Sequence, residues 1–213
     1  MASEFDGDLA EPQRLALAYA TPPTRALTAA LLALDGRLAA IVRRRGEPML
    51  AQMRLAWWRE TLEAPCEGWP VGEPILAALT RWKTPGALAA LAEGWEHLLA
   101  DNLDAPAITG FATGREIAMA ALAAETEVEP GSAARAARSW ALGDLAANLT
   151  DPAEKSLVVA LADTSTPPLL PRPMRPLAVL AALGRRSLLR GGRPLLEGRG
   201  AAATALRVGL LGR

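Results

Sequence analysis

The chain has 213 residues, with 23 basic and 23 acidic side chains, so its formal net charge is zero. This balance excludes a nucleic-acid-binding protein that is held to phosphates by bulk positive charge. Alanine and leucine supply 82 of the residues and aromatic side chains only 4%, a composition that favours helices over sheets and predicts an all-α, single-domain protein spanning residues 1–213.

The first two predicted helices are separated by adjacent prolines. A helix over residues 11–20 is expected to end before Pro22 and Pro23, because a helix interior does not accommodate proline. The second helix, over residues 24–45, has apolar side chains spaced by three and four residues, so one stripe is expected to face the core. The stripe consists of Leu27, Leu31, Leu34, Leu38 and Ile41.

Glycine and proline also mark the later boundaries. Gly46 is expected to end the second helix, and Pro48 lies in the first turn of a third helix that continues to residue 63. Residues 164–173 contain four prolines and are expected to form either an ordered strap or a linker. The remaining helices are predicted over residues 72–83, 85–102, 109–125, 132–150, 174–190 and 200–211, with a shorter one ending at residue 161.

Charge is distributed unevenly along the chain. The first twelve residues contain four acids and no base, whereas nine arginines and one acid follow from Arg172 onward. The basic stretch is either a solvated helix face or a surface that meets an anionic membrane or an acidic partner. Residues 1–10 are expected to be flexible, and residues 191–213 to form a basic C-terminal tail helix.

Several classes of protein are disfavoured because the chain has few of the residues or segments that they require. The acidic N-terminus is unlike a secretory signal, and the apolar runs are far shorter than the ~20 residues that span a bilayer. With one cysteine, Cys66, and one histidine, His97, neither a disulfide framework nor a Cys/His zinc site is expected within one chain. We therefore predict a bacterial protein that is cytoplasmic or peripheral to the membrane, not transmembrane.

The most specific segment is residues 43–63, which places adjacent tryptophans in the middle of a predicted helix. Neighbouring side chains on a helix point about 100° apart, so Trp57 and Trp58 address different surfaces and one of them is expected in the core. Met49, Met53 and Trp57 form one stripe, and Arg54 lies with Trp58 on a neighbouring stripe where guanidinium and indole can stack. From the residues alone, a core helix with a buried arginine network is favoured over an active site.

The run Trp57, Trp58, Arg59 and Glu60 is the structural signature of a resemblance. Together with GluProMetLeu before it and LeuProArgProMetArgPro at 170–176, it resembles the squalene/phytoene synthase family, in which TrpTrpArg followed by an acid is characteristic. The order of features is similar over about residues 10–190. The family also has a non-synthase branch, which includes a mitochondrial complex I assembly factor. The resemblance implies a shortened isoprenoid synthase-like helical bundle.

Enzymes of this family hold two prenyl diphosphates through Mg²⁺, with aspartate-rich motifs on two facing helices. The resemblance implies a first motif at Asp35, but Ala39 stands where a second carboxylate is expected. It implies a second motif on the helix over 132–150, where Ala147 replaces an expected asparagine. The candidate metal ligands are Asp35, Asp144 and Asp151, and the candidate diphosphate contacts are Arg43, Arg54 and Arg59.

The depleted motifs predict a degenerate, noncatalytic protein without a cofactor. It is expected to act as an isoprenoid-binding, lipid-binding or assembly module whose basic C-terminus meets a membrane-associated partner. The alternative is an active Mg²⁺-dependent enzyme that condenses farnesyl or geranylgeranyl diphosphate head to head. A third hypothesis is a helical protein whose partner binds the tail. Convergence of the three candidate carboxylates on an open cavity favours the enzyme, and an Asp35 that points to solvent disfavours it.

Overall fold

The computed structural model describes residues 5, 7, 9–44, 48–100 and 102–212. Within these ranges the regular structure is helical and includes no strand, so the prediction of an all-α protein is confirmed. The α-helices are α1 (Glu11–Leu17), α2 (Pro22–Arg43), α3 (Pro48–Glu63), α4 (Pro74–Leu79), α5 (Ala89–Glu96), α6 (Ala105–Glu125), α7 (Pro130–Asn148), α8 (Pro152–Leu161), α9 (Arg175–Leu188) and α10 (Arg199–Leu211).

Acidic caps and prolines define where helices begin. The Asp104 carboxylate accepts a hydrogen bond from the Ala107 N–H at 2.8 Å, at the start of α6. The Asp151 carboxylate accepts from Ala153 and Glu154 at 2.7 and 3.0 Å, at the start of α8. Both helices carry proline in their first turn, where its missing N–H is not needed. With these caps α6 begins at Ala105, four residues before the predicted start at residue 109.

Helix α2 lies in the middle of the core. Four members of its predicted stripe are buried and Leu27 is half-buried. The burial is wider than a stripe, however, because all eight residues from 28 to 35 are buried. Alanines at 29, 30 and 33 let neighbouring helices approach on the remaining faces. Asp35, at the end of this run, is therefore enclosed although it is charged.

The other helices are joined to one another by close pairwise contacts. Helix α7 packs against both α6 and α9, α5 packs on α6, α3 on α5, and α10 on α9. Two crossings depend on glycine. A methyl group at Gly143 on α7 would overlap the backbone of Gly184 on α9, and one at Gly94 on α5 would lie 3.0 Å from the Gly114 Cα on α6. The backbones of these helices are consequently held in direct contact.

The segment between residues 72 and 102 differs from the predicted pair of long helices. Helix α4 is short, and the second predicted helix is divided into 3₁₀ turns at Pro85–Leu88 and His97–Leu99 on either side of α5. The His97 ring packs over Gly110, where a methyl group would overlap it. Sequence periodicity does not report such a close approach, because the contact is between two different helices.

The C-terminal part follows its prediction closely. Residues 162–171 contain no helix, and the segment is an ordered strap, because Arg185 Nε donates to the carbonyl oxygens of Thr164 and Ser165 at 2.7 and 3.0 Å. Helix α10 follows a turn in which Glu197 pairs with Arg190 and Arg193. None of the helices in the described part of the chain combines the length and the apolar character needed to cross a bilayer.

Two predictions fall partly or wholly outside the described residues. Positions 1–4, 6 and 8 are among those not described, while Phe5 and Leu9 are buried against the core. The flexibility of residues 1–10 therefore stays a prediction. Gly46, which is expected to end the second helix, also lies outside the described residues.

We expect Gly143→Ala to lower the free energy of unfolding by about 1–3 kcal/mol, because the added methyl group forces α7 and α9 apart. Gly36→Ala is the matched control on α2, since a Cβ there meets nothing within 4 Å. It should be neutral or stabilising by up to about 1 kcal/mol. Urea denaturation followed by circular dichroism measures both changes. Equal effects at the two positions would contradict the close α7–α9 crossing.

Candidate functional site

The centre of the molecule holds an ion pair between Arg115 on α6 and Asp35 on α2. The Arg115 side chain is 2% exposed and that of Asp35 is also 2% exposed. Arg115 Nε donates to Asp35 Oδ1 at 3.0 Å, and Arg115 Nη2 donates to Asp35 Oδ2 at 2.8 Å. Two parallel hydrogen bonds of this kind fix both distance and orientation. The pair therefore joins α2 to α6 in one geometry.

A second carboxylate completes a buried triad. Arg115 Nη1 donates to Asp144 Oδ2 on α7 at 2.9 Å. The Asp144 side chain is 19% exposed, so it forms the border between the triad and the outside. The other oxygen of Asp144 accepts a hydrogen bond from the Asn148 side chain at 3.2 Å. One guanidinium thus connects three helices.

The oxygens of Asp35 are fully used by hydrogen bonds. Besides Arg115, the indole N–H of Trp95 donates to Oδ1 at 2.9 Å and the amide of Gln13 donates to Oδ2 at 3.3 Å. A carboxylate has about four lone-pair sites, and four donors occupy them here. The charge of Asp35 is therefore satisfied although it has lost its water.

Three aromatic rings enclose the guanidinium of Arg115. Its carbon lies 4.2 Å from the ring centre of Trp140, 4.8 Å from that of Phe111 and 5.3 Å from that of Trp95. These distances are in the range of cation–π attraction, which strengthens when water is excluded. The rings also prevent solvent from reaching the ion pair.

The electrostatics of the triad favour a charged Arg115. Burial by itself disfavours the cation, but the charges of Asp35 and Asp144 and the hydrogen bonds to both raise the pKa of Arg115 above its ordinary value. Two carboxylates face one guanidinium, so the triad as a whole carries one negative charge. Asp144 is the member of the triad that is partly exposed at the border of the core.

The magnesium ion that the resemblance implies does not fit these residues. Asp35 has no free lone pair, and the guanidinium of Arg115 occupies the place between Asp35 and Asp144 where a bridging cation would lie. Asp151 does not join them, because its carboxylate caps α8. Within the described residues, no group of three or more histidine, cysteine or acidic side chains is arranged to hold a metal. Of the three candidate ligands, the fold thus brings together only Asp35 and Asp144.

A cavity of about 320 Å³ lies next to the triad, at the Asp144 side. Its size is at the lower end of the usual range for small-molecule sites. Most of its walls are apolar, and they come from the end of α2, the α5–α6 connection, α6 and α7. The lining includes the apolar Val42, Leu98, Leu103, Phe111, Leu145 and Leu149, and the polar Arg43, Asp144, Asn148 and Glu154.

The three candidate diphosphate contacts do not meet in one place. Arg43 is exposed at the end of α2 and lines the cavity beside the triad. Arg59 forms an ion pair with Glu96 at 3.0 Å and lines a second, more polar cavity of about 560 Å³. Arg54 is exposed on α3 and lines neither cavity. Only Arg43 is therefore positioned to act on a ligand beside the triad.

The second cavity has an acidic character. Glu93, Glu96 and Asp104 line it together with Arg59 and His97. Burial raises the pKa of Glu96 above its ordinary value and nearby Glu93 adds to the rise, while the Arg59 charge opposes it. His97 is exposed. This cavity is separate from the triad.

The tryptophan pair on α3 divides between core and surface. Trp58 is 3% exposed and Trp57 is 42% exposed, with their ring centres 5.1 Å apart in an edge-on arrangement. The prediction that one of the two lies in the core is confirmed. The predicted stacking of Arg54 on Trp58 is not confirmed. Arg54 is exposed, and the described aromatic contact of Trp58 is with Trp57.

The buried arginine network exists, but on α6 and not on α3 as predicted. Sequence reasoning missed Arg115 together with Trp95 and Trp140. One signal was present, since Arg115 is the one basic residue in the mostly apolar stretch 105–125. Burying a single arginine there costs several kcal/mol of free energy unless a carboxylate pairs with it. The partner itself, 80 residues away, left no local signal.

Comparisons with known proteins do not assign the chain to a family. No match was found among protein-family models, curated proteins or solved structures. The resemblance to the squalene/phytoene synthases therefore rests on residues 43–63 and the features around them, and it stays a prediction.

We expect Arg115→Met to lower the free energy of unfolding by about 3–5 kcal/mol, because Asp35 remains buried without its counter-charge. Adding Asp35→Asn should recover part of the loss, since it removes the orphaned charge. Arg138→Met is the control, because the Arg138–Glu116 pair is partly exposed and such pairs contribute about 0–1 kcal/mol. Urea denaturation of the four proteins measures this. A loss in Arg115→Met no larger than in Arg138→Met would contradict the central role of the triad.

Proposed function

We propose that this protein is a noncatalytic, squalene/phytoene synthase-like helical bundle that holds an isoprenoid or another lipid in the cavity beside the triad. The observation that carries the proposal is the position of Arg115, whose guanidinium lies between the two carboxylates expected to bind metal. The residues expected to serve catalysis are thereby engaged in holding the helices together. The cavity next to them remains available to a ligand.

The charge balance of the site opposes prenyl transfer. Ionising a prenyl diphosphate requires cations that neutralise the leaving group. Arg115 does not supply this charge, because two carboxylates already balance it. Arg54 and Arg59 lie elsewhere, so Arg43 is the one candidate cation beside the cavity among the described residues. A single exposed arginine is a weak substitute for a metal cluster.

The cavity itself favours an apolar ligand with an uncharged polar head. Its walls offer six large apolar side chains to a hydrocarbon tail. Among the described polar residues that line it, Asp144 and Glu154 are acidic and Arg43 is basic, so a diphosphate would meet more negative than positive charge. A hydroxyl or carbonyl group, by contrast, can hydrogen-bond to the carboxylate of Asp144 or the amide of Asn148.

One observation favours the alternative, an active Mg²⁺-dependent prenyl transferase. Asp35 and Asp144 come from different helices and approach the same point, as the two motifs of such an enzyme would. That hypothesis requires Arg115 to leave the carboxylates and a metal to replace it. The fully used hydrogen-bonding capacity of Asp35 opposes such an exchange.

The basic C-terminal helix supports a peripheral location at a membrane in the cytoplasm. Helix α10 exposes Leu206, Leu210 and Leu211 together with Arg199 and Arg207. Leucines and arginines on one helix face suit an anionic lipid surface or a membrane-associated partner. A lipid-binding module at such a place would take up or release its ligand at the bilayer.

We expect the protein to bind farnesol with a dissociation constant in the micromolar range, measurable by isothermal titration calorimetry. Leu103→Trp, which fills the cavity from its wall, should weaken binding at least about tenfold. Leu206→Trp on the exposed face of α10 is the control and should bind as the unaltered protein does. Absence of farnesol binding, or equal binding by Leu103→Trp, would contradict the proposal.

We expect Mg²⁺ to leave the melting temperature unchanged and farnesyl diphosphate with Mg²⁺ to yield no condensed product. The reason is that Arg115 already occupies the space between Asp35 and Asp144. Thermal denaturation and product extraction test the two expectations. A condensed hydrocarbon product would establish the alternative, the active transferase, in place of the noncatalytic function.

A further inference from the structure

Helix α3 exposes an apolar face that neither the core nor the candidate site uses. Met49 is 72% exposed, Met53 63%, Leu50 45% and Trp57 42%. Large side chains of this kind are exposed singly on most proteins, and a contiguous group on one helix is typical of an interaction surface. Methionine, tryptophan and arginine are also the residues that interfaces prefer.

The face is separate from the side of α3 that packs into the protein. Leu55, Trp58 and Leu62 point into the core and make the contact with the rest of the bundle. Leu50, Met53, Trp57 and Glu60 follow one another at spacings of three and four residues along the outer side, the spacing of a helix-packing seam, and Ala64 continues this spacing directly after the helix end. The two tryptophans of the motif therefore serve two different surfaces.

The charges on this outer face are arranged symmetrically about Trp57. Arg54 lies three residues before it and Glu60 three residues after it, and both are exposed. Six positions apart, they are not neighbours on their own helix. Within the part of the chain that the structure describes, neither has an ion-pair partner. The face thus carries two unpaired, opposite charges at equal distances from its central aromatic ring.

We propose that α3 packs antiparallel against α3 of a second copy of this chain, across a two-fold axis at Trp57. In that register residue 57 faces its own counterpart, and positions equally distant from it in opposite directions face each other. Arg54 then meets the partner's Glu60, and the same pair forms again on the other side of the axis. Leu50 meets the partner's Ala64, so a large side chain lies opposite a small one.

Charge distinguishes a second copy from a membrane as the occupant of this face. A helix that lies on anionic lipids is flanked by basic residues, as α10 is, since residues 199–211 include Arg199 and Arg207 and no acid. The outer face of α3 instead mixes Arg54 with Glu60. Unpaired opposite charges on an apolar seam complement a copy of the same seam in reverse direction.

The expected dimer is a weak one. A single pair of helices buries less area than the roughly 1,200 Å² of stable protein interfaces. Its dissociation constant is therefore expected in the micromolar range, where the average mass changes with concentration. Since α3 lies outside the cavity beside the triad, the dimer is independent of the proposed lipid-binding function.

Sedimentation equilibrium of the full chain at several concentrations tests the proposal. We expect Trp57→Ala to weaken dimerisation by at least about tenfold, because the central aromatic is removed from both copies. Arg54→Glu and Glu60→Arg should each weaken it by about tenfold or more, since like charges then face each other twice. The double variant Arg54→Glu/Glu60→Arg should restore the affinity to within about threefold of the unaltered protein. All three substituted positions are exposed to solvent, and circular dichroism checks that each of the four variants retains the fold.

The register is tested by cross-linking in a Cys66→Ser background, since Cys66 is the one cysteine of the chain. Met53→Cys together with Thr61→Cys should form a covalent dimer under oxidation, because these positions are equally distant from Trp57. Met53→Cys alone should not, whereas a parallel pair of helices would link through it. Oxidised samples separated under non-reducing conditions report the outcome.

The matched control is Leu206→Glu/Leu210→Glu on the exposed face of α10, which should leave the dimer unchanged. A protein that is monomeric at every concentration would overturn the proposal. So would a dimer that persists in Trp57→Ala and Arg54→Glu, or one that only the α10 variant dissociates. Failure of the charge-swapped double variant to recover the dimer would overturn the antiparallel pairing.

Discussion

The buried ion pair between Arg115 and Asp35 constrains most of what surrounds it. A charge removed from water must find partners or the fold loses several kcal/mol. Trp95 and Gln13 supply the remaining donors for the carboxylate, and Asp144 supplies a second acceptor for the guanidinium. These demands tie α1, α5 and α6 to α2, and α7 to α6, with hydrogen bonds of defined direction. Apolar packing alone, in a core so rich in alanine, would specify their positions less strictly.

The same triad connects the core to the candidate site. Asp35 is wholly enclosed, whereas Asp144 faces both the guanidinium and the neighbouring cavity. An arginine between two carboxylates resembles a metal in that it neutralises charge, but its geometry is planar and its hydrogen bonds are already made. The arrangement is therefore better suited to positioning a ligand than to ionising one. Arg43 is the one candidate cation left beside that cavity within the described part of the chain.

Helix α3 illustrates how one short motif can serve two purposes. Trp58 fills the core, while Trp57 presents its ring to the outside between an arginine and an acid. Arg59, the next residue, pairs with Glu96 and links α3 to α5. The motif on which the family resemblance rests is thus built mainly into packing and surface, and it lies apart from the cavity. Its presence is compatible with the noncatalytic function proposed above.

The sequence by itself determined the features that depend on neighbours along the chain. Patterning and proline predicted that α3 continues to residue 63, that α8 ends at residue 161 and that the strap is not helical, because the effects of proline act within one turn. The spacing of apolar residues by three and four identified a buried stripe of α2. Only the tertiary structure decided which charges meet: Arg115 and Asp35 are 80 residues apart, and nothing near either one specifies the other. The tertiary structure also decided that the helix predicted over 85–102 is interrupted. It decided that Trp57 is exposed, because the burial of a side chain depends on which surfaces the other helices cover.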